Sequence, residues 1–352
     1  MLALHGLTNT QGVNVANEKR VLITGITGMA GSHLAEFILK EHPDHKIYAT
    51  KRWRSPLNNI VDIESQVHLF DCDLTDPTGV RTLIEDVKPH FIFHLAAQSF
   101  VPTSWTNPIS TLTDNISMQL NIFEAVRHTK IDPVIQIALS SEEYGLVLPD
   151  EVPISETNPL RPLSPYAVSK VGQDMLGYQY CQSYGLKVIR TRAFNHEGPR
   201  RGEVFVTSNF AKQIAEIEAG LRLPVIHHGN LDAKRDWTDV RDMVRAYWMS
   251  VHKCTPGEDY VIASGVTRTI RSMLDYLLSL STCKIECKLD ESRLRPSDVQ
   301  VLWGEPAKFK KVTGWEQTIT FEQTMQDLLD YWRKETAVKK HTSAAALAGS
   351  SK

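Results

Sequence analysis

The sequence predicts an α/β fold: a doubly wound parallel sheet followed by a smaller mixed α/β part at the carboxy-terminal side. Three observations carry that prediction. From residue 20 to residue 191, apolar runs of strand length alternate with amphipathic stretches of helix length. The first of these runs ends in a glycine-rich turn that opens a helix. From Phe194 onward, turns rich in Gly and Pro replace the strand-helix rhythm, which marks a change of architecture.

The first strand reads Val21-Leu22-Ile23-Thr24, the turn Gly25-Ile26-Thr27-Gly28-Met29-Ala30-Gly31, and the helix continues over 34–39. Strands at 47–50, 67–70 and 91–95 follow, with a helix over 80–87 between the last two. A long helix over 109–127, a strand over 133–138, a helix opened by Pro165 and a strand over 187–191 complete the pattern. Parallel strands need crossovers, and the helices that alternate with these strands wrap both faces of the sheet.

The composition, 42% hydrophobic and 23% charged over 352 residues, supports a large core that folds without staples. A formal charge of −2 gives no general attraction for nucleic acid or an anionic membrane, although a local basic cluster can still grip a small phosphate-bearing molecule. No stretch of about 18 apolar residues is present, and residues 1–19 lack a signal-like apolar run. The five cysteines are scattered, and Cys283 and Cys287 lack the spacing of a zinc knuckle or redox pair. The expectation is a cytoplasmic protein without a metal site and with neither nucleic acid nor membrane as partner.

A strand leading into Gly25, Gly28 and Gly31 suits a dinucleotide: absent side chains admit a pyrophosphate, and the helix start offers free amides. Thr27, Met29 and Ala30 belong to the same cradle. At the end of the second strand, near Thr50, an acid would receive the ribose hydroxyls of NAD; Lys51, Arg52 and Arg54 stand there instead. Guanidinium groups suit a 2′-phosphate, so NADP is the expected cofactor. Asp73 and Leu74 after the third strand are placed to meet the adenine ring. Leu95, Ala96, Ala97 and Ser99 after the fourth are small enough, or close enough to the strand end, to lie along the cofactor.

Tyr166 and Lys170 stand four positions apart after Pro165, one helical turn on one face, which brings an ammonium beside a phenol. A phenol ionises only near pH ~10 unless a neighbour stabilises its anion, so the pair suggests a base for hydride chemistry. Upstream, Ser140-Ser141-Glu142-Glu143 reads either as a helix-starting cap or as part of the same active site. The resulting division has a flexible extension (1–19), an NADP-binding domain (20–193) whose core also uses later segments, a substrate domain (194–335) and a disordered tail (336–352).

With these motifs in this order, the chain resembles the extended short-chain dehydrogenase/reductases that act on nucleotide sugars, and among them the GDP-mannose 4,6-dehydratases. The resemblance spans residues 20–333; its most specific part is Asn195-His196-Glu197-Gly198-Pro199-Arg200-Arg201-Gly202-Glu203. It implies that Ser140, where threonine is usual, bonds the sugar's 4-position, with Ser141 at the sugar beside it. Tyr166 would take the C4 hydroxyl proton, Lys170 would hold the ribose and Glu142 would eliminate water across C5 and C6. Asn195 would touch the sugar diphosphate, and His196 and Arg201 would approach NADP. Lys212, Arg235 and Arg295 would meet the substrate's phosphates or base, with GDP-mannose as the favoured substrate and a homodimer or homotetramer as the assembly.

Asn115 where an acid is expected, Met29-Ala30 in the glycine loop, His33, and Ser104-Trp105 depart from that pattern. They keep a second reading open, a reductase of GDP-4-keto-6-deoxymannose or a related epimerase. A non-catalytic NADP sensor is the alternative of another class, and loss of Tyr166 or Lys170 would have indicated it.

Overall fold

A computed structural model of the chain describes residues 18–294 and 299–349. The first half contains β1 (Lys19–Thr24), α1 (Met29–Glu41), β2 (His45–Lys51), β3 (His68–Asp71), α2 (Pro77–Val87) and β4 (Phe91–His94). After these come α3 (Val101–Thr106), α4 (Pro108–Thr129), β5 (Val134–Ala138), α5 (Pro165–Tyr184) and β6 (Lys187–Ala193). The expected elements are present with shifted ends. For example, α1 begins at Met29 because the last of the three glycines lies inside its first turn.

Val21 and Ile23 of β1 pack on one face with α1, while Leu22 between them packs on the other with α2 and α4; all three are fully buried. Both faces are covered, so β1 is apolar without alternation. Proline opens α2, α4 and α5 at a position whose amide would have no helical partner, and Asp76 and Ser164 cap the first and last of these.

The second half supplies β7 (Asn195–Glu197), α6 (Val206–Glu218), β8 (Val225–His228), β9 (Lys234–Asp239), α7 (Val240–Lys253) and β10 (Asp259–Ile262). Next are β11 (Thr267–Thr269), α8 (Ile270–Ser279), β12 (Glu286–Leu289), α9 (Ala307–Thr313) and α10 (Phe321–Gly349). The large sheet is wholly parallel, ordered β10-β6-β5-β4-β1-β2-β3, so one strand from the second half joins it at the edge. The strand order reverses between β1 and β4, and the crevice beyond the carboxyl ends of those strands is where such sheets bind ligands.

A small sheet, β11-β9-β7, and the pair β12-β8 stand above that crevice with a core built from α6, α8 and α10. Residues 336–349 continue α10 as helix instead of forming the expected disordered tail. Met325, Leu328 and Leu329 anchor the helix in the core, and the alanines and leucine of 344–348 are strong helix formers that extend it.

Candidate active site

One cavity of about 1310 Å³ runs from the glycine loop to the second-half loops. At its floor Gly25 has φ +72°, and a Cβ there would lie 3.0 Å from Ala96 Cα across the sheet's reversal point. A Cβ on Gly31 would lie 2.4 Å from the Gly25 carbonyl, so the helix start can pack only as glycine. Gly28 caps α1 with no side-chain hydrogen bond and no acid follows in the first turn, which leaves positive amides for an anion. Thr27, Gly28, Met29 and Ala30 all line the cavity.

Thr24, the last residue of β1, fixes the opposite wall. Its hydroxyl oxygen accepts from the amides of Leu95 and Ala96, each at 3.1 Å. Leu95, Ala96, Ala97 and Ser99 line the cavity, as do Asp73 and Leu74. Asp73 accepts from the Thr75 amide and hydroxyl, which lower its pKa. Of the basic run, Arg52 and Lys51 line the cavity, with Lys51 bonded to Asp71. Arg54 departs from its expected role: it has φ +64° and stacks on Trp53 outside the lining. The cradle and Arg52 together fit a dinucleotide carrying a 2′-phosphate.

The chemical groups meet at the ends of β5 and α5. Ser140 caps a short 3₁₀ turn, Ser141–Glu143, and lines the cavity beside Tyr166. Glu142 and Ser141 line the cavity beside Tyr166 and Lys170. Burial raises the Tyr166 pKa, Ser140 lowers it, Glu142 and Glu143 raise it, and Arg201 lowers it. The Lys170 ammonium lies 5.9 Å from the Tyr166 ring centroid and donates to the Ala138 carbonyl at 2.7 Å. Burial pulls its pKa down to about 8.

Above them, Asn195, His196, Arg201 and Arg235 line the same cavity. Asn195 Oδ1 is buried with no hydrogen-bond partner among the described residues, an acceptor left for a ligand. His196 Nδ1 bonds the Phe194 carbonyl at 3.1 Å, and burial pulls the imidazole pKa down to about 4. Arg201 sits over the Phe205 ring, 3.5 Å from its centroid, and Arg235 is pinned by the Val299 carbonyl at 2.7 Å.

Lys212 does not join this group: it pairs with Glu203 and Glu216 and lies outside the lining. Arg295 lies outside the described residues. Nearby Arg293, which opens the loop expected from the family resemblance to close on the nucleotide diphosphate, lines the cavity and donates to Asn209 at 3.2 Å. Asn115, which stands where the dehydratase pattern leads one to expect an acid, accepts from the Gln98 amide at 2.8 Å and donates to Ser169 Oγ at 2.9 Å. An ionised acid could not make both bonds. Among the described residues, no metal-binding cluster is formed, and no helix is long and apolar enough to cross a membrane.

The profile of the GDP-mannose 4,6 dehydratase family matches residues 22–328. A GDP-mannose 4,6-dehydratase of Vibrio cholerae is 32% identical to the chain over 89% of it and 93% of the relative. GDP-mannose 4,6 dehydratase 2 of Arabidopsis thaliana is 35% identical over 90% of the chain and 87% of the relative. Among solved structures, RMD from Pseudomonas aeruginosa complexed with NADPH superimposes with a TM-score of 0.79 at 28% identity, covering 90% of this chain and 99% of that one. UDP-glucose 4-epimerase of Thermus thermophilus, in complex with NAD, superimposes with a TM-score of 0.79 at 27% identity, covering 89% and 99%.

Proposed function

Because the chain belongs to the GDP-mannose 4,6-dehydratase family, we propose that its cavity converts GDP-mannose to GDP-4-keto-6-deoxymannose with NADP as cofactor. The observation that carries this reading is the convergence of Ser140, Glu142, Tyr166 and Lys170 on one cavity floored by a glycine cradle. Bound NADP supplies a hydride acceptor for C4 and, once reduced, a hydride donor for C6.

Tyr166, beside Ser140 in the cavity, takes the C4 hydroxyl proton as that carbon becomes a ketone. The free chain holds this phenol above its ordinary pKa, so ionisation awaits the positive charge that arrives with the oxidised cofactor. Lys170, held by the Ala138 carbonyl, would bond the ribose of the cofactor. The new ketone acidifies C5–H; Glu142 removes that proton and gives it to the departing C6 hydroxyl, which leaves as water. The proton that Tyr166 took from the C4 hydroxyl then goes to C5 as hydride reaches C6, so Tyr166 and the cofactor are restored and the net change is loss of water. Asn195, Arg235 and Arg293 hold the diphosphate and base, and Arg52 holds the 2′-phosphate of NADP.

Exposed Val168, Met175 and Tyr178 form an apolar stripe along α5 beside α4, which supports pairing of two copies there and at least a homodimer. The cysteines are free, and the reaction's partners are water-soluble, in keeping with a cytoplasmic enzyme.

The test is purified protein with GDP-mannose and catalytic NADP, assayed for a 4-keto-6-deoxy product. Glu142→Gln should oxidise C4 and accumulate reduced cofactor without losing water; full dehydration by that variant would remove Glu142 from the mechanism. Ser104 and Trp105, which depart from the dehydratase pattern, favour one second reading, reduction of the keto sugar. NADPH oxidation by the keto sugar, with no product from GDP-mannose, would establish it instead.

A further inference from the structure

Behind the active-site turn lies a buried charge cluster that the steps above do not use. Glu143 is fully buried, and its Oε1 accepts the Ser140 amide at 2.9 Å while the Ser140 hydroxyl accepts the Glu142 amide at 3.2 Å. Its Oε2 has no hydrogen-bond partner among the described residues and lies 3.8 Å from Arg192 Nε. Asp174 accepts from Arg190 and from Arg192, each at 2.6 Å, and Asp259 lies 2.8 Å from Arg192. Two guanidiniums are thus matched by two aspartates. Glu143 and Lys170 remain as the unmatched buried acid and base.

Lys170 is 4% exposed, and among the described residues no carboxylate stands within ion-pair distance of its ammonium. An ammonium buried that deeply loses its proton readily unless a negative charge nearby compensates. We propose that Glu143 is a positioning residue for the reaction above: it clamps the turn that presents Ser140 and Glu142, and its charge keeps Lys170 an ammonium. The proposal rests on the dehydratase reading for its catalytic half and on cofactor binding for its electrostatic half.

The groups facing Glu143 are Lys170 and Asp174 of α5, Arg192 of β6, and Tyr166 and the Ser140 amide beside the turn; Lys170 also faces His94 of β4. Burial and Asp174 hold the Glu143 carboxyl well above the usual carboxylate range, and Arg192, the Ser140 amide and Lys170 oppose that rise, so its charge depends on the cations around it. Glu143 is in turn the charge that opposes the downward pull of burial on Lys170. Each of the two therefore favours the other's ionised form.

The experiment uses two variants and two readouts. Glu143→Gln keeps an oxygen for the Ser140 amide and removes the charge. NADPH affinity, read by fluorescence across the pH range, should then fall away at a pH about one unit or more below that of the wild type. Glu143→Asp keeps the charge but withdraws the carboxylate by one methylene, so turnover of GDP-mannose should drop about ten-fold or more while the alkaline limb of NADPH binding stays in place. An unmoved limb in Glu143→Gln, or full turnover in Glu143→Asp, overturns the proposal. If the Gln variant does not fold, the Asp variant decides alone. Wild-type protein that binds NADPH but leaves GDP-mannose untouched refutes the reaction, and the binding limb still judges Glu143.

Discussion

Gly31→Ala and Gly28→Ala add the same methyl group to one loop and should fail for different reasons. On Gly31 the new carbon would lie 2.4 Å from the Gly25 carbonyl oxygen and 2.7 Å from Ile26 Cα, both backbone atoms that no rotamer change can move. Restoring ordinary contact requires α1 to back away from the turn by roughly 1 Å. Overpacking of that kind costs about 1–3 kcal/mol, a fall in melting temperature of roughly 1–4 °C for a chain of this size. The same displacement carries the helix's free amides away from the pyrophosphate, so NADPH should bind about ten-fold more weakly, or roughly 1.4 kcal/mol. Gly28 has φ −79° and ψ 171°, ordinary for alanine, and its Cβ would meet only the Gly25 oxygen at 3.3 Å. The fold bears that methyl, which stands in the cavity and obstructs the cofactor. Thermal melts and NADPH fluorescence titrations of both variants test this. Wild-type melting and affinity in Gly31→Ala, or equal melting losses in the two, would refute the steric argument.

Stability should also fall on acidification from a buried histidine. Burial holds the His94 pKa down at about 3, against about 6.5 in the unfolded chain. The stabilising effect of the neutral ring is complete above about pH 6.5 and is lost as pH falls toward 3, because the unfolded chain takes up a proton that the folded one refuses. Linkage gives at most about 2 kcal/mol lost by pH 5, and melting curves of His94→Gln should show a flatter acid slope; an unchanged slope would acquit His94. Lys212→Ala should leave the KM for GDP-mannose within about two-fold and stability within about 1 kcal/mol. Arg235→Ala should raise that KM ten-fold or more, and a reversed order would return Lys212 to the site.

The large sheet was legible because each strand and helix carries its own periodicity, and the glycine loop because its three glycines follow a strand directly. What stayed hidden depends on contacts distant in sequence. Thr24 looks like an ordinary strand residue until its hydroxyl is seen to take two amides about 70 positions away. Asn115 read as a missing acid, yet its amide is what ties the cofactor wall to the Tyr166 helix. Lys212 is a lone cation in sequence, and only the placement of Glu203 shows that it is paired away from the cavity. Residues 336–349 misled for the opposite reason: the absence of an apolar stripe says little about a helix already nucleated by its buried first turns.

The Ser-Ser-Glu-Glu run shows how one segment can satisfy two readings that seemed exclusive. As a cap it needs a serine followed three residues later by an acid that reaches back to the serine's amide, and Glu143 does this. As an active site it needs an acid with freedom to face a substrate. A 3₁₀ turn advances about 120° per residue, so adjacent glutamates point to different sides. Glu143 turns into the buried charge cluster, and Glu142 lines the cavity beside Tyr166. Had the turn been a strand end, the two would have alternated across a sheet, with neither capped. The cap fixes Ser140 at the same time, since its hydroxyl accepts the Glu142 amide while the residue lines the cavity beside Tyr166. Structural and chemical roles are thus divided between neighbouring residues, and elimination of water depends on the one that the cap leaves free.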